Sequence, residues 1–168
     1  MKKIIVFVAL LSFTISSVTK AQSVVAKREF NNTLNAYFET KNALAKDNAS
    51  LASTSVVALI KNIDEFPVKT LSDSQQELWT KEAAVIKKAA VAISKEKAIK
   101  IQRNSFWALS SAMLKLASEF QLNVKDVYVQ YCPHAKKSWL SEVEVIQNPF
   151  YGSMMYSCGE VTETIAKK

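Results

Sequence analysis

The chain has 168 residues, 49% of them apolar and 22% charged, with a formal net charge of +7. Only two glycines and three prolines occur, which excludes collagen-like, low-complexity and linker-rich chains. The excess lysines are interleaved with acids, as in Lys81-Glu82 and Lys95-Glu96-Lys97, so they read as solvated helix faces and exclude a nucleic-acid-binding stripe.

The chain opens Met1-Lys2-Lys3 and runs apolar from Ile4 to Val18, broken only by Ser and Thr. A small-residue exit follows at Thr19-Lys20-Ala21. This pattern predicts a secretory signal peptide over residues 1–21, cleaved after Ala21. The apolar run is shorter than the roughly 20 residues of a spanning helix, and no later stretch is long and apolar enough to cross a bilayer. The expectation is an exported protein, periplasmic or secreted, whose residues 22–168 form one domain.

Helical periodicity then dominates. Phe30, Leu34, Tyr37, Phe38 and Leu44 share one face, predicting a helix over about 24–46, and Asp47-Asn48 offers a turn and a cap. Ala52, Val56, Leu59, Ile60, Ile63 and Phe66 predict a second over about 49–66, stopped by Pro67. Ser72 with Gln75 forms a capping box, and Leu71 is placed to act as a staple. The third helix, about 73–93, presents Leu78, Val85, Ile86, Ala89, Ala90 and Ile93. Ser94 is read as the cap of a fourth, about 95–121, with the stripe Ile99, Phe106, Leu109, Met113, Leu116 and Phe120. The expected class is all-α: an antiparallel four-helix bundle. Its tail, residues 122–168, is expected to be irregular, partly extended and packed back on the bundle. Val127-Tyr128-Val129-Gln130-Tyr131 is its clearest strand-like segment.

That tail holds both cysteines, the single histidine and two of the four methionines: Cys132, His134, Met154, Met155 and Cys158. Thiolate, imidazole and thioether together are soft to borderline donors, the set that favours Cu(I). Zinc accepts two Cys and one His but gains nothing from methionine. The expected metal ligands are Cys132, His134, Met155 and Cys158. The competing reading is a disulfide between Cys132 and Cys158, because exported thiols oxidise unless something holds them reduced.

The segments Tyr128-Val129-Gln130-Tyr131-Cys132-Pro133, Trp139-Leu140-Ser141 and Asn148-Pro149-Phe150-Tyr151-Gly152, with Met155 and Cys158-Gly159, resemble the family called domain of unknown function 3347. The resemblance is dense over the tail and thinner over the helices, where it rests on Gln102-Arg103 before Phe106. Members of that family occur as stand-alone exported proteins and fused to periplasmic adaptor subunits of heavy-metal efflux pumps. The resemblance implies a helical bundle, copper or related metal handling outside the cytoplasm, and an efflux-pump adaptor or metal carrier as partner. It maps the family's cysteines onto Cys132 and Cys158 and its second methionine onto Met155. His134 stands where the family usually has Met, which keeps a Cu(I) site but also admits Zn(II) or Cu(II).

Plain structural roles compete at each position. Met155 alone is a core filler, His134 an exposed side chain, and Trp139, Phe150 and Tyr151 packing, with Trp139 a candidate cation–π cover for a metal. Arg103 is expected to pair with a carboxylate such as Glu29. A single histidine leaves hydrolytic triads and multi-histidine metal catalysts without partners, and neither a Cys-x-x-Cys-His nor a glycine-rich phosphate loop is present. The chain is therefore expected not to be an enzyme: either a soft-metal-binding protein tied to metal resistance, or a disulfide-pinned helical interaction module with no metal.

Overall fold

The computed structural model describes the chain from Lys2 onward, with side chains from Val24. The expected signal peptide, residues 1–21, lies outside the residues whose side chains are described. Four helices come first: α1 (Lys2–Ala45), α2 (Ala49–Asp64), α3 (Asp73–Lys95) and α4 (Ile99–Phe120). Among the described residues no helix is long and apolar enough to cross a membrane.

The helix ends follow local chemistry. Asn48 caps α2 by accepting from the Leu51 N–H. Ser72 and Gln75 form the full capping box of α3, and α2 stops at Asp64, ahead of Pro67. The boundary between α3 and α4 differs from expectation. Ser94 lies inside α3 and bonds back to the Val91 carbonyl. The break is made instead by Glu96, whose carboxylate accepts from the Lys97 and Ala98 N–H groups. A carboxylate that satisfies two free N–H groups ahead of Ile99 does the work of the missing side-chain cap.

Successive helices pack on one another, and α1 meets α4 through aromatic rings: Phe30 on Phe120 and Tyr37 on Phe106, at 5.6 and 5.5 Å between centroids. The apolar stripes are therefore buried together, Phe30, Leu59, Ile86, Leu109 and Met113 completely.

The all-α reading holds for the helices and not for the tail. Residues 127–165 form a three-stranded antiparallel sheet of β1 (Val127–Cys132), β2 (Lys137–Ser141) and β3 (Glu160–Ile165), in the order β2-β1-β3. The tail is a small sheet with ordered loops, the protein α-helical with a β appendix. β2 lies on α4. The buried Tyr37 hydroxyl accepts from the Leu140 N–H, and the Ser110 hydroxyl donates to the Ser138 carbonyl. At the far end of β2 the fully buried Lys41 side chain reaches Glu142 at 2.9 Å, tying α1 to the loop that follows.

Candidate functional site

Strand register brings the cysteines together. Tyr131 pairs with Glu160 across β1 and β3, and Cys132 with Lys137 across β1 and β2. The chain entering β3 therefore runs past the end of β1, with Cys158 opposite Cys132. Gly159 permits the approach: a Cβ there would sit 2.9 Å from the Tyr131 carbonyl and 3.1 Å from the Trp139 ring, at a φ of +149°. Pro133 and His134 make the turn out of β1. The result is a compact group of Cys132 Sγ, His134 nitrogen and Cys158 Sγ, all within 4.8 Å of one another. The sulfurs are 2.7 Å apart, and His134 Nδ1 is 3.4 Å from Cys158 Sγ. Cys132 is buried, Cys158 half-buried and His134 exposed, so the group is open on the imidazole side.

The two thiols are electrostatically unlike. Burial opposes ionisation of Cys132, but bonds from the Cys158 thiol and from the Ala135 and His134 N–H groups outweigh it and hold its thiol below the ordinary range. Cys158 is pushed up, first by the hydrogen bond it donates to Cys132. Of the two, Cys132 is therefore the thiol that ionises first, and Cys158 keeps its proton longer.

Met155 lies in the short 3-10 turn Gly152–Met155, half-buried, and its carbonyl accepts from the Cys158 N–H. The backbone so places it one turn ahead of Cys158, as the spacing suggests. Met154 is 80% exposed. Trp139 is fully buried, donates its indole N–H to Gln130 and meets Phe150 edge-on, the packing role expected of it.

Two residues that hold this loop, Asn148 and Gln130, went unread in the sequence, and a third, Arg103, has a different carboxylate partner from the one suggested. Asn148 is buried; its side chain accepts from the Phe150 and Tyr151 N–H groups and donates to the Cys158 carbonyl. Asn before Pro is an Asx-turn signal that marks such a role. Gln130 donates to the carbonyls of Val143, Glu144 and Val145. Arg103 does not meet Glu29, which pairs with Arg28. It pairs with Asp47 in the α1–α2 turn at 2.5 Å and donates to the Leu44 and Pro149 carbonyls. Asp47 in turn accepts from the Ser153 N–H, so Asp47 and Arg103 clamp the turn that leads to Cys158.

Hydrogen bonds from Ser153 and then Arg103 hold the Asp47 carboxyl down to about 2, against 3.8 for a free one. A carboxylate whose folded value is lowered stabilises the fold above the unfolded value, and that stability is lost as pH falls through the folded one. Since 37% of the Asp47 side chain is exposed, screening reduces the effect to roughly 1 kcal/mol, lost between about pH 4 and pH 2. Urea midpoints across that range should fall further for the natural chain than for Asp47→Asn; parallel curves would refute the clamp.

The family described as protein of unknown function (DUF3347) has a model that matches residues 33–125. The match runs from within α1 to just beyond α4 and ends before Cys132, so it rests on the helices rather than on the tail, where the sequence resemblance is densest. No curated protein and no solved structure matches the chain.

Proposed function

The chain belongs to the DUF3347 family of proteins of unknown function, and from the thiol–imidazole group at the end of its sheet we propose that it binds a soft metal ion, Cu(I), and passes it on by ligand exchange. The observation that carries this reading is the convergence of Cys132, His134 and Cys158 within 4.8 Å. Two thiolates and one imidazole suit a soft ion of low coordination number. Zinc accepts two cysteines and a histidine but gains nothing from a thioether, the donor that Met155 offers one turn before Cys158.

The donor set fits an ion after one adjustment. Sharing a metal at about 2.3 Å from each sulfur sets tetrahedral sulfurs about 3.8 Å apart, about 1 Å wider than they stand. Cys158 is the sulfur free to shift, being half-buried in a loop. Met155, one turn earlier, supplies the thioether that completes the set. The exposed His134 marks the transfer face, where an exchanging partner adds its own ligand before the thiolates let go. In an exported chain that partner is a metal carrier or a periplasmic efflux-pump adaptor.

A second reading is favoured by the 2.7 Å sulfur approach itself. A bond between cysteines 26 positions apart would stabilise the tail by roughly 3 kcal/mol in the chain-entropy account. It leaves His134 without a role.

The test is Cu(I) titration of reduced protein against a competing chromophoric chelator, with thiols counted before reduction. One ion per chain is expected, weakened on the order of a hundredfold by Cys132→Ser or Cys158→Ser and on the order of tenfold by His134→Ala. No competition with the chelator, together with no free thiols before reduction, would reject the metal in favour of the bridge.

A further inference from the structure

A cleft of about 540 Å³ opens between the start of α4 and the β1–β2 turn. Ile99, Ala135, Phe150 and Tyr151 give it an apolar lining, while Lys100, Arg103, Lys137 and His134 supply the polar walls; among the described residues no carboxylate lines it. The three cations differ. Arg103 is already committed to Asp47 and two carbonyls. Lys137 is held by aromatic faces instead, its ammonium 5.0 Å from the Phe150 centroid and 5.9 Å from that of Trp107. Among the described residues, the ion pairs involve neither Lys100 nor Lys137.

A positive charge fixed over rings beside an apolar floor, with no counter-charge of its own, is arranged for a ligand that brings one. We propose that this cleft binds a small organic anion: an apolar or aromatic body seated on Ile99, Phe150 and Tyr151, with a carboxylate or phosphate head between Lys100 and Lys137. The volume lies within the roughly 300–1,000 Å³ of small-molecule sites. The charge pattern sets specificity by sign, and the rings select the body. An acidic segment of a protein would need a longer track of cations than this bounded cleft supplies. His134 belongs to both the cleft wall and the thiol group, yet the anion site needs no metal and stands apart from the Cu(I) reading.

Calorimetric titration of the reduced, metal-free chain with 1-naphthoate, and in parallel with neutral 1-naphthalenemethanol, tests the site. The carboxylate should bind at one per chain, about tenfold tighter than the alcohol, the worth of one charge-assisted contact. Lys137→Gln and Lys100→Gln should each weaken it about threefold to tenfold while Lys137→Arg preserves it, and added salt should weaken it. Equal affinity for the alcohol, or indifference to both lysines, would overturn the proposal. So would a glutamate-rich peptide that binds more tightly than naphthoate with the same lysine dependence, since the occupant would then be a protein segment.

Discussion

Replacing Gly152 with alanine should cost about 3 kcal/mol and loosen the loop that presents Cys158. Gly152 opens the 3-10 turn with φ of +60°, a left-handed conformation. Any side chain there is strained by roughly 1–2 kcal/mol. A Cβ would also overlap the Arg103 guanidinium and the Asp47 carboxylate. Arginine ends usually swing aside at little cost, but this one is held by Asp47 and the carbonyls of Leu44 and Pro149. Moving it forfeits charge-assisted bonds worth roughly 1.5–3 kcal/mol. In a protein of this size the melting temperature should drop by about 10 °C. In an Asp47→Ala background the same substitution should cost roughly the backbone strain alone, since the clamp is already broken. A change below about 0.5 kcal/mol in the natural background would mean that Arg103 yields freely, and the clamp would lose its meaning.

The same clamp explains where reading the sequence succeeded and where it stopped. Helix interiors were readable because the stripe from Phe106 to Phe120 repeats at the helical period, and the Ser72–Gln75 box is a local signal. The tail sheet was not, because its partners are distant. Val127–Cys132 reads as a strand by itself, but Glu160–Ile165 carries two glutamates, lies exposed along most of its length and becomes a strand only by pairing with β1. The cysteines, histidine and Met155 were found by composition; that the thiols and the imidazole converge depends on strand register and on Gly159, which no local pattern encodes. For Arg103 the sequence suggests a carboxylate partner, with Glu29 as an example, but does not single one out. Its true partner, Asp47, sits in a turn at φ of 57°, and only tertiary packing brings that turn to α4. Lys41, buried in α1, reads in the sequence as an ordinary surface charge.

Gln102 holds the other end of the helical layer, and its replacement by glutamate should be the most damaging conservative change in the chain. The side chain is fully buried. Its amide nitrogen lies 3.0 Å from the Ala49 carbonyl, 2.8 Å from the Ser53 hydroxyl and 2.8 Å from the Glu96 carbonyl. It therefore gathers the start of α2, the end of α3 and the start of α4 at one point, while its own carbonyl oxygen finds no partner. Here the residue is purely a donor. Glutamate keeps the shape and removes the donors, so a carboxylate would face two backbone carbonyls, with the Ser53 hydroxyl the one neighbour able to donate to it. At neutral pH the cost should be about 3–5 kcal/mol, typical of an uncompensated buried charge. The pH dependence separates this from mere loss of packing. The buried glutamate would have a folded-state pKa raised above its unfolded value of about 4.3, so it is tolerated when protonated and increasingly costly as pH rises through that interval. The gap in urea midpoint between Gln102→Glu and the natural chain should therefore narrow from pH 7 to pH 4.5, whereas Gln102→Leu should show a smaller gap, roughly 2 kcal/mol, with no such dependence. A glutamate variant as stable as the natural chain at pH 7, or a gap that stays constant with pH, would show that the three helix ends are held by their apolar contacts and not by this one amide.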